Sequence, residues 1–247
     1  KKTEDSRIYR KKISQLTFLQ LYTCMRKHFK EGGRLIMKIF IVGASGRVGT
    51  KLASILAKMG HQVYAGTRHI EKDSGHENII PTYIDLHSSQ EELIEPLKGM
   101  DVIYFVAGSK GKDLLQSDLF GAVKVMQAAE SNGTKRFIHL SSIFALEPNR
   151  WNESLLKNLE DYNIAKFFSD HWLVHNTNLD YTILQPGALT EDLGTGKIDV
   201  NVTDLGSNSI EDVVDVLVTI LDYPNTIKKV IKMHEGTSPI KEAIKTI

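Results

Sequence analysis

Apolar residues occur in two alternating patterns along the chain from Met37 onward. Short runs rich in β-branched and aromatic residues predict buried strands, and the segments between them carry apolar residues at helical spacing. KIFIV (38–42) is the first predicted strand, and residues 47–59 form the first predicted helix, which Gly60 ends. The other predicted strands are QVYAG (62–66), NIIPTYI (78–84), DVIYFVAG (101–108), RFIHLSS (136–142), DYTILQPG (180–187) and residues 229–233.

Several predicted helices carry start signals. SSQEELIEPLKG (88–99) begins with Ser88 and Glu91 in capping-box spacing, which predicts a short helix after Ser88. Ser209 is expected to cap a helix, and Pro239 to occupy the first position of a terminal helix. Longer helices are predicted over residues 112–131, 152–175 and 210–221.

Strands that alternate with helices imply a parallel sheet covered by helices on both faces. The predicted fold class is therefore α/β, a doubly wound parallel sheet in a single domain over residues 37–247. Residues 187–208 are rich in Gly, Thr, Asp and Asn, so we expect a loop over the carboxyl edge of the sheet. Ligands bind at that edge in this architecture.

Composition narrows the function only slightly. Hydrophobic residues make up 41% and charged residues 25% of the 247 residues, which is typical of a globular protein. No apolar run approaches the length of a membrane span, so we expect no membrane partner. The single cysteine, Cys24, excludes an internal disulfide framework and a cysteine-based metal site. We therefore predict no metal and a cytoplasmic location.

Charge is distributed unevenly along the chain. Residues 1–36 hold ten Lys or Arg and three Asp or Glu, whereas the rest holds 21 and 27. The acidic main body argues against nucleic acid as a partner. A basic arm is also typical of a targeting or nucleic-acid-binding tail. Because Met37 stands directly before the first strand, we favour the hypothesis that residues 1–36 are an N-terminal extension that is non-native or disordered.

The first strand runs into a glycine-rich loop with the sequence GASGRVG, a GxxGxxG pattern. Its first glycine allows a sharp turn, its second allows a pyrophosphate to approach the backbone, and its third lets the helix pack closely on the strand. The pyrophosphate would then lie on the free N–H groups and positive end of the helix. This position, after a strand and before a helix, predicts a dinucleotide site. The predicted contacts are Gly43, Ser45, Gly46, Arg47, Val48 and Gly49.

The end of the second strand indicates which dinucleotide binds. An NAD site carries an acidic residue about 20 residues after the glycine loop, where it bonds the ribose 2′-hydroxyl. This chain has AGTRH (65–69) there, without an acid. Arg68 would instead pair with a 2′-phosphate, with help from Arg47. NADP(H) is therefore predicted in preference to NAD(H).

Further short stretches follow the later strands: Asp85-Leu86, Ala107-Gly108-Ser109, the serines of FIHLSS (137–142) and Pro186-Gly187. In this order, with the glycine loop, they resemble the short-chain dehydrogenase/reductase family, in its atypical NAD(P)-binding branch. In that family the aspartate contacts adenine, the small residues lie under the adenine ribose, and the Pro-Gly lies near the nicotinamide. The resemblance implies cofactor contacts by Asp85, Leu86, Ala107, Gly108, Ser109, Leu140, Ser141, Tyr162, Lys166, Pro186, Gly187, Ala188 and Leu189.

A YxxxK pair, Tyr162 and Lys166, lies in the predicted helix between the fifth and sixth strands. Residues four apart share a helix face. An ammonium favours a nearby phenolate, so we expect Lys166 to lower the pKa of Tyr162 below its ordinary value of about 10. The resemblance implies a catalytic set in which Tyr162 exchanges a proton with the substrate oxygen, Lys166 also holds the nicotinamide ribose, and Ser142 orients the oxygen. Ser141 is the alternative to Ser142.

Other polar and aromatic side chains have a structural interpretation. His139 is expected to be packed in a strand rather than catalytic. His171 and His175 share a helix face without a third ligand nearby, so we expect no zinc site. Three aromatic residues either line a pocket or belong to the core: Phe144, Trp151 and Phe168.

These patterns together predict a Rossmann-like, NADP(H)-dependent oxidoreductase that acts on a small carbonyl or alcohol, as a monomer or homodimer. Its substrate loops are expected near residues 144–160 and 188–208. A nucleotide-sugar epimerase or dehydratase is one alternative, although such proteins carry a larger substrate lobe than follows Pro186 here. The other alternative is a non-catalytic redox sensor that resembles the NmrA-like regulators, which tend to lack the Tyr–Lys pair.

Overall fold

A mixed β-sheet between two layers of helices forms the centre of the computed structural model, which describes residues 36–70, 75–153 and 156–247. The predicted N-terminal extension therefore lies outside the described residues, apart from its last residue. Residues Met37–Ile247 form one compact unit. Its strands are β1 (Lys38–Val42), β2 (Gln62–Thr67), β3 (Ile79–Tyr83), β4 (Val102–Phe105), β5 (Arg136–Leu140), β6 (Asp180–Pro186), β7 (Ala188–Thr190), β8 (Lys197–Val200), β9 (Ser207–Ser209), β10 (Lys229–Glu235) and β11 (Ser238–Pro239).

Helices connect most of these strands. The helices are α1 (Arg47–Lys58), α2 (Gln90–Ile94), a π-helical segment (Leu114–Gly121) that continues into α3 (Ala122–Ser131), α4 (Glu160–Asn176), α5 (Ile210–Ile220) and α6 (Ile240–Lys245). Short 3₁₀ turns cover Pro148–Arg150, Lys157–Leu159 and Pro224–Thr226. Contacts between the helices divide them into two layers, with α1, α5 and α6 in one and α2, α3 and α4 in the other.

The strand order of the sheet is β3-β2-β1-β4-β5-β6-β10-β8-β11. Every neighbouring pair from β3 to β10 is parallel. This arrangement confirms the predicted α/β class, and the order of the first six strands is that of a Rossmann fold. The order reverses between β1 and β4, which brings the loops after these two strands together at the carboxyl edge.

The central strands are buried on both faces, as the almost unbroken apolar runs of β1 and β4 predict, and β5 is buried as well although it carries Arg136 and His139. Phe40 and Phe137 belong to one apolar cluster with Met126 of α3 and Leu173 of α4. On the opposite face the hydroxyl of Tyr104 donates a hydrogen bond to the carbonyl of Leu217 in α5, at 2.9 Å. Both helix layers therefore hold the sheet rigidly beneath its carboxyl edge.

The loop predicted over residues 187–208 is interrupted by strands, because β7 and β8 lie within this range and β9 begins at its end. β8 pairs antiparallel with β10 and with β11, which makes the sheet mixed at this edge. β7 and β9 form a separate parallel pair above it. These strands have three or four residues each, too few for a period-two pattern to stand out against the surrounding Gly, Thr and Asp.

The long helix predicted over residues 112–131 is divided into a π-helical first half and the α-helix α3. In the π-helical part the buried side chain of Asp118 accepts a hydrogen bond from the backbone N–H of Ser109, at 3.0 Å. Apolar spacing does not distinguish a π-helical turn from an α-helical one. π-Helical turns recur at functional sites, and this one adjoins the loop after β4.

Two predicted helix starts are displaced by one residue. The capping box consists of Ser89 and Glu92 rather than Ser88 and Glu91, with Ser89 Oγ accepting from the Glu92 N–H and Glu92 Oε2 accepting from the Ser89 N–H. SSQEE satisfies the S-x-x-E pattern in both registers, so the sequence alone does not choose between them. Pro239 lies at the N-cap of α6, one position before its predicted place.

We expect Ser89→Ala to lower the free energy of unfolding by about 1 kcal/mol, because the change removes one of the two reciprocal capping bonds. Ser88→Ala is the matched control and should change it by less than about 0.5 kcal/mol. Urea unfolding followed by circular dichroism measures both values. A larger loss in Ser88→Ala than in Ser89→Ala would contradict the observed register.

Candidate functional site

A cleft of about 940 Å³ lies at the carboxyl ends of the parallel strands. The residues predicted for the cofactor or catalytic site line this cleft, with the exception of Gly49, which is buried in α1. The predicted residues that line it are Gly43, Ser45, Gly46, Arg47, Val48, Arg68, Asp85, Leu86, Ala107, Gly108, Ser109, Leu140, Ser141, Ser142, Tyr162, Lys166, Pro186, Gly187, Ala188 and Leu189.

Other lining residues were not predicted from the sequence. Six of them directly precede or follow a predicted residue in the chain, and Leu159 precedes Tyr162 by one helical turn, so for these residues the position beside a motif was the available signal. The substrate loops predicted near 144–160 and 188–208 contribute to this set. The additional residues are Val42, Gly66, Thr67, Ile84, Val106, Lys110, Gly111, Lys112, Asp113, Ser117, Ile143, Leu156, Leu159, Leu205 and Gly206.

The glycine loop fits a dinucleotide pyrophosphate. Gly43 has φ +90°, and a Cβ there would lie 2.6 Å from the backbone of Ala107. A Cβ at Gly49 would lie 2.2 Å from the carbonyl oxygen of Gly43, whereas one at exposed Gly46 would meet only that oxygen, at 3.2 Å. Gly43 and Gly49 therefore serve the packing of the loop, and the space above Gly46 remains open to a ligand.

The N-terminus of α1 is electrostatically available to that ligand. Gly46 is the N-cap, no side chain caps the helix, and its first turn carries no acidic residue. The first N–H groups of a helix and its positive end attract phosphate. These features satisfy the requirement for holding the cofactor's pyrophosphate.

Charged residues gather at the end of β2. Exposed Arg68 lines the cleft together with Lys110 and Lys112, as predicted for Arg68 but not for the lysines. Asp113 lines the same cleft. A hydrogen bond from Ser117 and the contact of His87 Nε2 with its Oδ2, at 2.6 Å, hold the pKa of Asp113 below its usual range, and Arg68 adds to this effect. The wall is basic, with a carboxylate close to Arg68.

Arg47 contacts an acidic side chain in the structure. Its Nη1 lies 2.6 Å from Oε1 of Glu191, the residue that follows β7. The predicted helper of the 2′-phosphate thus forms an ion pair that connects the glycine loop to the segment after β7. Both side chains are half-exposed, so the pair can reorganise at little cost.

α4 presents Tyr162 and Lys166 to the cleft. The buried Lys166 Nζ donates a hydrogen bond to the Leu140 carbonyl at 3.2 Å and lies 5.8 Å from the Tyr162 ring centre. The expectation of a lowered pKa for Tyr162 was wrong. Burial raises the pKa of Tyr162, Asp118 and Asp170 raise it further, and Lys166 offsets only part of this rise. Tyr162 is therefore a protonated hydroxyl at neutral pH.

The two serines after β5 have different surroundings. Ser141 is buried, and its Oγ donates to Asp170 Oδ2 at 2.6 Å; Gln185 Nε2 donates to the same oxygen at 2.9 Å. Asp170 Oδ1 lies 3.2 Å from Nε2 of His139. The Ser141 hydroxyl is thus engaged below the cleft, and half-buried Ser142 is the serine whose side chain is available above it.

His139 is buried between Phe105 and Phe137, and burial lowers the pKa of His139, so the ring is neutral. This agrees with the packed interpretation. Phe144 is fully buried beside Arg150 and belongs to the core rather than to the cleft.

Trp151 and Phe168 contact Phe167 on α4 instead of lining the cleft. The rings of His171 and His175 are 4.3 Å apart. Within residues 36–70, 75–153 and 156–247 there is no cluster of three or more metal-ligating side chains, and no helix there is long and apolar enough to span a membrane.

Comparison with known proteins identifies the family. The family model described as NAD(P)H-binding matches residues 43–224, so the chain belongs to the NAD(P)H-binding family. A Bacillus subtilis (strain 168) relative, named uncharacterized sugar epimerase YhfK, is 35% identical over 220 residues, which are 85% of this chain and 100% of that protein. The predicted resemblance to atypical short-chain dehydrogenases/reductases is confirmed at the level of this NAD(P)-binding superfamily.

Solved structures show the same fold. The crystal structure of the oxidoreductase ylbE from Lactococcus lactis is 48% identical, with a TM-score of 0.83, and the match covers 85% of this chain and 96% of that one. A short-chain dehydrogenase/reductase from Veillonella parvula, in complex with NADP, has a TM-score of 0.66 at 18% identity, covering 83% and 97% of the two chains. At that identity the likeness shows the fold.

Substitutions at two glycines should separate packing from ligand binding. Gly49→Ala should lower the free energy of unfolding by about 2 kcal/mol or more, because its Cβ would collide with the Gly43 carbonyl. Gly46→Ala should cost about 1 kcal/mol at most but weaken NADPH binding by roughly tenfold, because its methyl would occupy the pyrophosphate position.

Urea unfolding and a fluorescence titration with NADPH measure these two quantities in each variant. Unaltered NADPH affinity in Gly46→Ala would contradict the assignment of the loop to the pyrophosphate.

Proposed function

We propose that this protein is an NADP(H)-dependent oxidoreductase of the short-chain dehydrogenase/reductase type, which interconverts a small carbonyl compound and its alcohol. The observation that carries the proposal is the position of Tyr162, with buried Lys166 behind it, in the same cleft as the glycine loop. Ser142 lines this cleft too and offers its hydroxyl to a substrate oxygen.

Each residue has a separate role in the proposed reduction. NADPH, held by the glycine loop and Arg68, would supply the hydride that the carbonyl carbon takes up as the π electrons of the carbonyl move to its oxygen. Tyr162, whose hydroxyl stays protonated at neutral pH because burial raises its pKa, donates its proton to that oxygen. Ser142 donates a hydrogen bond that orients the oxygen. Lys166, fixed by the Leu140 carbonyl, stabilises the phenolate that remains.

Two alternatives differ in what they require of the cleft. A sugar epimerase, the name borne by the Bacillus subtilis relative, would use the same tyrosine and a hydride that returns to the substrate. A non-catalytic redox sensor would need the dinucleotide site only. The buried lysine favours an enzyme, because burying an ammonium carries a desolvation cost that a sensor has no reason to retain.

We further propose a cytoplasmic monomer or homodimer with a small-molecule substrate and no nucleic-acid partner. The acidic excess of residues 37–247 supports the proposal of no nucleic-acid partner, since negative charge opposes binding to phosphate backbones.

We propose a preference for NADP(H) because the end of β2 carries Arg68 and no acidic residue. Lys110 and Lys112 line the same cleft as Arg68. Arg68→Ala should weaken NADPH binding by roughly 10- to 100-fold, the effect of losing a charged hydrogen-bonded pair. NADH affinity should change by less than about twofold, since NADH lacks the 2′-phosphate. Parallel fluorescence titrations measure both affinities, and equal losses for the two cofactors would overturn the role of Arg68.

Tyr162→Phe should lower kcat by at least about 100-fold, because the proton donor is lost, while NADPH affinity stays within about twofold. Tyr83→Phe is the matched control, since Tyr83 is exposed and outside the cleft, and should retain full activity. NADPH consumption is followed at its near-ultraviolet absorbance with a panel of aldehydes and ketones. If Tyr162→Phe retains wild-type turnover, Tyr162 is not the proton donor. If wild type binds NADPH but consumes none, the sensor alternative is favoured.

A further inference from the structure

The part of the cleft beside Ser142 and Tyr162 has an apolar lining. It consists of Ile143, Leu156, Leu159 and Leu205, here called the apolar wall. Ile143 directly follows Ser142, and Leu159 stands three residues before Tyr162. The wall therefore adjoins the two hydroxyl groups that the proposed reaction assigns to the substrate oxygen.

The apolar wall is held in place by packing and by a hydrogen bond. Ile143 and Leu156 are buried and pack in one cluster with Phe144 and Val202, and Leu205 packs against that cluster. Asn163 Nδ2 donates a hydrogen bond to the Leu156 carbonyl at 3.3 Å, which fixes this segment to α4. Such packing holds the wall in one shape before any ligand arrives.

Leu159 has a different position, at the rim. Its side chain is 43% exposed although it lines the cleft next to Tyr162. A bound apolar group would cover this surface and gain the free energy of removing it from water.

Charged lining residues lie elsewhere in the described cleft. Those at the dinucleotide end belong to the glycine loop and to the ends of β2, β3 and β4, and the remaining one, Lys166, is bonded to the Leu140 carbonyl below Tyr162. The charged lining residues are Arg47, Arg68, Asp85, Lys110, Lys112, Asp113 and Lys166. Among the described residues the apolar wall thus offers no charge and no side-chain hydrogen bond to a sugar or a phosphate.

We propose that the substrate is an apolar carbonyl compound, an aldehyde or ketone with an alkyl or aryl group that lies on the apolar wall. This proposal rests on the proposed oxidoreductase function and narrows it. It opposes a nucleotide-sugar substrate, whose hydroxyls and diphosphate would lose their water contacts against leucine and isoleucine without replacement.

A homologous aldehyde series tests the proposal in the full chain with NADPH. Each methylene that enters an apolar site contributes about fourfold to kcat/KM, so hexanal, with three more methylenes, should exceed propanal by roughly 60-fold. Glyceraldehyde, a polar aldehyde close to propanal in size, should be a poorer substrate than propanal. A flat series, or turnover of a nucleotide sugar in preference to hexanal, would overturn the proposal.

Substitutions in the apolar wall test whether the wall causes the preference for longer aldehydes. Leu159→Gln and Leu205→Asn should each lower kcat/KM for hexanal by about fivefold to tenfold and leave that for propanal within about twofold. Leu115→Gln is the matched control, because Leu115 is 70% exposed and outside the cleft. Leu159 is exposed as well, so its variant should fold even if Leu205→Asn does not. An equal loss for both aldehydes in Leu159→Gln would contradict a role for the wall in binding the alkyl chain.

A binding measurement separates this inference from the proposed function. Hexanamide and acetamide carry the same carbonyl in a form that hydride does not reduce, so their affinities report the wall without turnover. With NADPH present, hexanamide should raise the melting temperature more than acetamide does, and Leu159→Gln should remove the difference. If the preference for hexanamide remains but NADPH binding or turnover is absent, the proposed function is overturned and the apolar binding site is not. Equal shifts with the two amides would overturn the apolar substrate.

Discussion

The close approach of three backbone segments around the glycine loop is the constraint on which the site depends. Gly43 contacts Ala107 after β4, and Gly49 contacts the carbonyl of Gly43, at distances that leave no room for a Cβ. These contacts bring the N-terminus of α1 to the carboxyl edge of the sheet with its N–H groups uncovered. A ligand phosphate then has a fixed place, and the distances from it to Tyr162 on α4 follow from the rigid sheet between them.

Buried polar contacts behind the cleft determine which side chains face a substrate. Asp170 accepts hydrogen bonds from Ser141 and Gln185, and Lys166 donates to the Leu140 carbonyl. These bonds satisfy groups that would otherwise be costly to bury. As a consequence the Ser141 hydroxyl is bonded to Asp170 although Ser141 lines the cleft, and the proposed reaction uses the hydroxyls of Ser142 and Tyr162. The sequence does not distinguish the two adjacent serines. Their surroundings differ because the hydroxyl of Ser141 is bonded to the carboxylate of Asp170.

Much of this could be predicted from the sequence, and the failures have identifiable physical causes. β1 was predicted to the residue, and the position of the glycine loop followed from it, because a buried strand and a GxxGxxG turn leave strong local patterns. The predicted register of the capping box was wrong because SSQEE fits the S-x-x-E pattern in two registers, and the local pattern does not distinguish them. β8 was missed because its pairing with β10 is non-local and its four residues are too few to show a period. The pKa of Tyr162 was misjudged because spacing reports a neighbouring charge but not the burial that outweighs it.

The raised pKa of Tyr162 and the apolar wall belong to the same cleft. Burial in surroundings of low polarity is the largest cause of the raised pKa, because low polarity disfavours the phenolate. The same low polarity strengthens the attraction between Lys166 and the charge that develops when Tyr162 gives up its proton. In the proposed reaction Tyr162 keeps its proton until the carbonyl oxygen becomes basic as hydride arrives. Under that proposal the cleft favours the reduction of an apolar carbonyl over the handling of a heavily solvated sugar nucleotide, whose water would have to be removed from the same surface first.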